Sequence, residues 1–376
     1  MGAGSRERLA ASGAGQDSAL VPAVLVPPGA VAPAGRVAAQ RYLLAARAES
    51  TRRAYASDWA HFTSWCAAQR DGAGAPYPPL PAPAEAVALY LAEHAERLKV
   101  ATLVRRCSAI SAVHQAAGHP SPTSSPLVRT TLAGIRRVHG VAADAKDPLL
   151  AHQVRRLLDA LPDPEPEPTK AVLAARDRAL LVLGFYGALR RSELVGLDLD
   201  DVRVDEHGLV VTLRRSKTDQ DAAGRRIAML HTGSADSCPV EVYQRWVDAL
   251  DVVVVAAALS AGTDSTAGER GRVLEGGRWA DPVFRPIIRH GQIARARLSD
   301  RAVARIVQRT ATAARLGHLD LAGHSLRAGF ATSAAAAGKS ERAIMKQTGH
   351  TCLPMVRRYI REDSLFRDNA TDGLVL

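Results

Sequence analysis

Five short stretches of this 376-residue chain carry side chains able to do chemistry. Gly187-Ala188-Leu189-Arg190 places a guanidinium just past an apolar run, with Glu193 three residues later. The pair reads either as an ordinary ion pair or as a cation held for use. Ser216-Lys217-Thr218-Asp219 puts a lysine at a turn, where a solvated amine is the plain alternative. His324 has Arg327 at i+3, a spacing shared by His94 with Arg97 and by His152 with Arg155. Those two pairs fall inside amphipathic helices. His324 instead follows Gly323 at a helix start, where free backbone N–H groups and the helix dipole favour a phosphate. Gly349-His350 comes next, and Tyr359 follows nine residues later within Val356-Arg357-Arg358-Tyr359-Ile360. Taken singly, each stretch has a bland reading; the arginines and the helix start favour a bound phosphate.

These residues need elements to hold them. Residues 1–36 are rich in Gly, Ala, Pro and Ser and read as a disordered tail. Ser50-Thr51 offers an N-cap to a helix carrying Tyr55, Trp59, Phe62 and Cys66 on one face. Helices are expected over Glu85–Leu98, over Thr102–Ala117 and over Leu127–Val138. In the second, Leu103, Cys107, Ile110 and Val113 face inward, and Arg105 and Arg106 lie off that face. Gly140–Asp147 is small and polar, and reads as a linker. Beyond it, Ala151–Leu161 and Ala171–Tyr186 read as helices. The period then changes: Val210–Leu213 and Ile227–Leu230 flank Ser216–Gly224 as a hairpin. A helix over Glu241–Val255 precedes a Gly/Ser/Thr-rich loop running to Asp281. Asp300–Ala314, Leu326–Ala337, Glu341–Gln347 and Leu353–Tyr359 are four closing helices.

Composition narrows the partner. Lys plus Arg is 49 against 38 acids, a formal charge of +11, and only Lys99, Lys146, Lys170, Lys217, Lys339 and Lys346 are lysines. An arginine-rich excess suits bidentate phosphate recognition and points to nucleic acid, although a bias toward Ala, Gly and Arg codons yields the same excess. The cysteines Cys66, Cys107, Cys238 and Cys352 lie far apart, which excludes a Cys-rich zinc site and fits a reducing compartment. The longest apolar run, Val252–Leu259, is far short of a membrane span. Four prolines break the apolar part of the N-terminus, a poor signal-peptide core. A cytoplasmic protein without membrane contact is expected.

In order and spacing, Arg190…Lys217…His324-x-x-Arg327…Gly349-His350…Tyr359 resembles the tyrosine recombinase (phage integrase) family, most of all its simple two-domain, Cre-type members. Ala188–Asp201, Ser216–Asp219, Gly323–Thr332 and Gly349–Arg361 look like its catalytic blocks; Ser50–Cys66 and Val100–Gly118 look like its core-binding domain. The resemblance implies a mainly α, DNA breaking–rejoining fold. Residues 37–139 form a small all-helical (SAM-like) core-binding domain and 140–147 a linker. Residues 148–376 form a larger, mostly helical catalytic domain with a small antiparallel β element.

It also implies a chemistry. Tyr359 attacks the scissile phosphate, releases a 5′-hydroxyl and leaves a 3′-phosphotyrosyl bond that needs no cofactor to rejoin. Arg190 and Arg327 stabilise the charge on the non-bridging oxygens, with no metal. Lys217 protonates the leaving oxygen, His324 acts as acid/base, and His350 donates to the phosphate. Glu193 orients the arginines, a plain surface salt bridge being the alternative. Arg52, Arg53, Thr102, Arg105 and Arg106 in the first domain, and Ser299, Arg301 and Arg305 in the second, are expected at phosphates and base edges.

The implied partner is double-stranded DNA bearing a specific site, bound by a homotetramer across two sites and by a monomer when free. The C-terminal tail, with Leu365 and Phe366, docks on a neighbour. The 258–281 loop is longer than the resemblance requires, and the N-terminal tail is too short for an extra arm-binding domain. A type IB topoisomerase-like enzyme and a catalytically silent DNA-binding protein on the same fold are the alternatives.

Overall fold

Apolar residues recurring at helical spacing build the first unit of the chain. Helix α1 (Glu49–Ala68) buries Phe62, Trp65 and Cys66, and also Asp58. It begins at Ala48 without a side-chain cap, two residues earlier than the expected Ser50-Thr51 cap. The Ala48 carbonyl already accepts from the N–H groups of Thr51 and Arg52, and Glu49 sits favourably in the first turn. Helix α2 (Ala84–His94) stops four residues before the expected Leu98, because the next residues turn into α3 (Val100–Ala116). Pro126, which needs no N–H partner, opens α4 (Pro126–His139). Phe62, Tyr90, Leu91, Leu103, Ile110 and Val128 pack into one core, each side chain contributing about 1.5–3 kcal/mol.

The structure, a computed structural model, describes residues 41–42, 46–141, 146–162, 168–214, 224–260, 272–274, 278–288 and 292–363. The chain divides into two units, Met1–Asp144 and Ala145–Leu376.

The second unit is larger. Helix α5 (Ala151–Asp159) and the central helix α6 (Pro168–Tyr186) open it. Residues Ala179 to Leu183 are all buried, so α6 is apolar on every side there rather than striped. The short helix α7 (Arg191–Gly196) leads into a three-stranded antiparallel sheet of β1 (Val202–Asp205), β2 (Gly208–Leu213) and β3 (Arg225–Leu230), in that order. Its register pairs Val202 with Val211, Leu209 with Met229 and Val211 with Ile227. Strands β2 and β3 are the expected hairpin. Strand β1 was not expected, since Val204 faces solvent and blurs its apolar alternation.

Helix α8 (Pro239–Ser260) runs five residues beyond the expected Val255. The stretch expected as loop contains two three-residue strands, β4 (Arg272–Leu274) and β5 (Arg278–Ala280), with Val273 opposite Trp279. Three residues are too few to display a period of two. Helices α9 (Asp300–Ala313), α10 (Ser325–Ala336), α11 (Glu341–Thr348) and α12 (Leu353–Asp363) complete the unit. Among the described residues, no helix is long and apolar enough to cross a membrane.

Candidate active site

Four segments of the second unit converge. The first is the turn after α6. Leu189 N–H closes on the Gly184 carbonyl, and Ala188 takes a left-handed φ of 46°, which turns its own carbonyl toward α10. Arg190 then stands at the N-cap of α7. Glu193, in the first turn of that helix, accepts from the Arg190 backbone N–H at 2.9 Å and from Arg190 Nη1 at 2.5 Å. The acid is almost fully buried, with a side-chain exposure of 2 % against 16 % for the arginine. Glu193 thus holds the Arg190 guanidinium from a buried position and is not a surface ion pair.

The second segment is the start of α10. Leu149 N–H donates to the Ser325 carbonyl, and Gly329 lies so close to the Leu149 backbone that no Cβ fits. This contact sets the helix that carries Arg327. The Arg327 side chain is buried; Nη1 donates to the Ala188 carbonyl at 2.7 Å and Nη2 to His350 Nε2 at 3.2 Å. Its Nε is buried without a hydrogen-bond partner. Burial first, then the neighbouring Arg190, pulls its pKa down to about 10, so it stays charged at neutral pH.

The third segment follows α11. Gly349 ends the helix in a left-handed conformation (φ 67°), as a glycine C-cap does. His350 comes next and is buried. A guanidinium only donates, so His350 Nε2 accepts and its proton is assigned to Nδ1, which reaches Thr348 Oγ1 at 2.8 Å; the threonine hydroxyl in turn donates to the Ile344 carbonyl at 2.7 Å. Desolvation, then the charges of Arg327, Arg190, His324 and Arg225, push the imidazole down to about 4. His350 is neutral at pH 7. As protonated here, donating to a phosphate oxygen requires its Nε2 to gain a proton.

The fourth segment is α12. Tyr359 is half-buried, its hydroxyl 3.2 Å from His324 Nε2 and its ring tilted 31° against His350 with centroids 5.8 Å apart. A phenol beside an exposed imidazole, next to the buried Arg327 and half-buried Arg190 guanidiniums, combines a nucleophile, a proton acceptor and fixed positive charge.

The structure therefore brings Arg190, Glu193, His324, Arg327, His350 and Tyr359 together. Lys217 lies outside the described residues, as do Leu365 and Phe366. Among the described residues, no three His, Cys, Asp or Glu side chains are placed to hold a metal ion.

The expected DNA-contacting residues divide. Arg53, Arg105, Ser299, Arg301 and Arg305 are exposed, and Arg52 and Thr102 are half-buried. Arg106 is a correction: it is buried, donates from Nη1 to the Tyr90 hydroxyl at 2.6 Å, and has Nε 3.8 Å from Asp58. Neighbouring positions on α3 point about 100° apart, so Arg106 enters the core while Arg105 stays outside it. Arg105 is also held, its Nε and Nη2 bonded to Asp58 at 2.8 and 3.0 Å. Ser299 N-caps α9 through its Oγ, which accepts from the Ala302 N–H.

Two residues of the cluster had not been singled out. Thr348 orients His350, and its only sequence signal is a hydroxyl two positions earlier. Arg225, at the start of β3, bonds the Lys346 and Gln347 carbonyls; an arginine opening a strand that otherwise feeds the core was the available sign.

Residues 148–365 match the profile of the phage integrase family. The chain is 35% identical over 337 residues, covering 89% of itself and 88% of its relative, to an integrase/recombinase xerD homolog of Selenomonas ruminantium. Among solved structures it resembles the XerH site-specific recombinase in a post-cleavage complex with a palindromic difH substrate, at TM-score 0.54 and 16% identity over 91% of this chain and 85% of that one. It also resembles a lambda integrase dimer bound to a COC′ core site, at TM-score 0.51 and 17% identity over 90% and 98% of the two chains. These structural likenesses concern the fold.

Proposed function

The chain belongs to the phage integrase family, and from that premise we propose that it is a site-specific recombinase that cuts and rejoins DNA through a phosphotyrosine bond at Tyr359. The observation that carries this reading is the Tyr359 hydroxyl set 3.2 Å from His324 Nε2 beside the buried Arg327–His350 pair.

The Tyr359 oxygen attacks the scissile phosphorus and gives its proton to His324. The 5′ oxygen leaves with a proton from Lys217, and the 3′ end stays covalently on the tyrosine. Arg190, held by Glu193, and Arg327, held by the Ala188 carbonyl, face the charge that grows on the non-bridging oxygens. Being fixed before the reaction, they need little reorganisation in the transition state. Reversal by the 5′-hydroxyl of another strand rejoins DNA, and the retained bond energy removes any need for a nucleotide.

The substrate is duplex DNA with a recombination site. Exposed Arg53, Arg105, Arg301 and Arg305 meet its phosphates and base edges, with Arg52, Thr102 and Ser299 beside them. Each protomer supplies one Tyr359, so exchange of four strands calls for a tetramer on two sites, assembled on DNA from monomers. Residues 37–139 serve as the core-binding domain and 148–376 as the catalytic domain, joined by 140–147. The protein works in the cytoplasm, on DNA.

The test is capture of covalent protein–DNA adducts from a genomic fragment library on denaturing gels, in excess chelator. The expected result is adducts on a defined sequence, lost in Tyr359→Phe, which still binds that sequence. Adducts that need added magnesium, or that persist in Tyr359→Phe, overturn the reading. Relaxation of plasmids lacking any such sequence marks a topoisomerase instead.

A further inference from the structure

On the strand-cleavage reading above, we propose that Arg225 is a positioning residue: from the first position of β3 it holds the last turn of α11 and the Gly349 backbone, and so fixes His350 against Arg327. The last carbonyls of a helix lack intrahelical partners. Arg225 Nη1 supplies one to Lys346 at 3.2 Å and to Gln347 at 2.9 Å, from 121 and 122 residues away in the chain. A cation at that end also suits the helix dipole.

The same guanidinium lies against Gly349. A Cβ at that position would stand 2.6 Å from Arg225 Cζ. Glycine is therefore required before His350 twice over, by its left-handed φ and by the arginine packed on it. Gln347 adds a second tie, Nε2 donating to the Tyr186 carbonyl at 2.7 Å and to Ala228 on β3 at 3.0 Å. With Thr348 bonded to Ile344, each of the last three residues of α11 is tied.

Arg225 also acts at a distance. Its charge is among those that keep His350 neutral, and it interacts with Glu193 and Arg190. Lysine can bond one or two carbonyls but has no flat face to lie on Gly349.

The experiment uses the full chain and a nicked duplex of the captured site. Half-site affinity is read by gel shift and single-turnover adduct formation is followed from pH 4.5 to 8. Arg225→Ala and Arg225→Gln are expected to bind within about threefold of wild type and to cleave about 10–100-fold more slowly, the size of losing part of a preorganised site. Protonating His350 Nε2 breaks the bond it accepts from Arg327, so loss of the Arg225 charge should move their acidic limb to higher pH. His350 is faced by Arg327 and His324 of the α10 segment, Arg190 before α7, Tyr359 of α12 and Arg225 of β3, and only the last charge is removed. Arg225→Lys should keep the limb in place and recover part of the rate.

If Arg225→Ala loses half-site binding through misfolding, Arg225→Gln, which keeps an amide donor, carries the test. An Arg225→Gln protein that cleaves at the wild-type rate overturns the proposal. So does an equal loss in all three variants with an unmoved limb, which marks plain structural support. A wild type that forms no adduct overturns the cleavage reading itself, and this proposal with it.

Discussion

Both units set arginines beside a buried carboxylate, and the clusters around Asp58 in the first and Glu193 in the second use them differently. In the first unit, Asp58 takes Arg105 through two bonds, while Arg106 turns inward to the Tyr90 hydroxyl and lies 5.5 Å over the Tyr90 ring. His61 completes the set, its Nδ1 2.9 Å from Tyr90 Oη, and burial followed by the charge of Arg106 lowers its pKa. In the second unit, three guanidiniums lie within the electrostatic reach of Glu193, but only one is bonded to it. Glu193 is bonded to Arg190, whereas Arg327 and Arg225 donate to backbone carbonyls and to a neutral imidazole. Carbonyls satisfy donors without cancelling charge. The first cluster is a packing device that joins α1, α2 and α3; the second leaves fixed positive charge uncancelled beside Tyr359.

The largest effect should separate the two at the level of chemistry. Arg327→Ala or Arg190→Ala should slow single-turnover adduct formation by about 10²-fold or more with little change in half-site binding. Arg106→Ala should leave the rate of the bound complex within about twofold of wild type, on the order of the scatter between unrelated surface changes. A hundredfold rate loss in Arg106→Ala would break the distinction.

The next effect is on stability. Asp58→Ala leaves Arg106 buried without its acid and should destabilise the first unit by about 3 kcal/mol, read as a lower thermal midpoint of the full chain. An unchanged midpoint would mean that Arg106 relaxes to solvent and that the cluster packs nothing.

A smaller effect should track pH. His350 is neutral in the fold down to about 4, whereas its ordinary value is 6.5. The unfolded chain therefore takes up the proton first, and acid favours unfolding: stability is lost as pH falls from about 6.5 toward 4 and is not lost further through this group below that. His350→Gln should flatten this part of the thermal midpoint profile. A parallel profile in wild type and variant would contradict a buried neutral imidazole.

The smallest effect belongs at the surface. Arg53 is exposed, 3.7 Å from Glu49 one turn earlier. Arg53→Ala should change stability by less than about 0.5 kcal/mol, yet lower the salt slope of DNA binding by about one. No change in that slope would remove Arg53 from the phosphate contacts.

Much of this was legible beforehand for identifiable reasons. Helices α9 to α12 fall close to the four closing helices expected over Asp300–Ala314, Leu326–Ala337, Glu341–Gln347 and Leu353–Tyr359. The order of Arg190, His324, Arg327, His350 and Tyr359 singled out five residues that the structure brings together. Arg106 misled because adjacency to Arg105 says nothing about which of the two meets Asp58 and Tyr90. Strands β4 and β5 were too short for a pattern. Arg225 escaped because its partners are backbone carbonyls, which have no signature in a sequence.

By itself, then, the sequence determined the chemical inventory: a surplus of guanidinium charge, the spacing of the reactive side chains, and the periodicities of the helices that carry them. These are local properties, set by residue type and by contacts within a few positions. Only the tertiary structure decided which arginines are neutralised and which are not, that His350 is uncharged, and that Glu193 is spent on Arg190. Desolvation and Coulomb interaction depend on distance and burial, and both arise only when segments more than a hundred residues apart, such as β3 and the end of α11, are packed together.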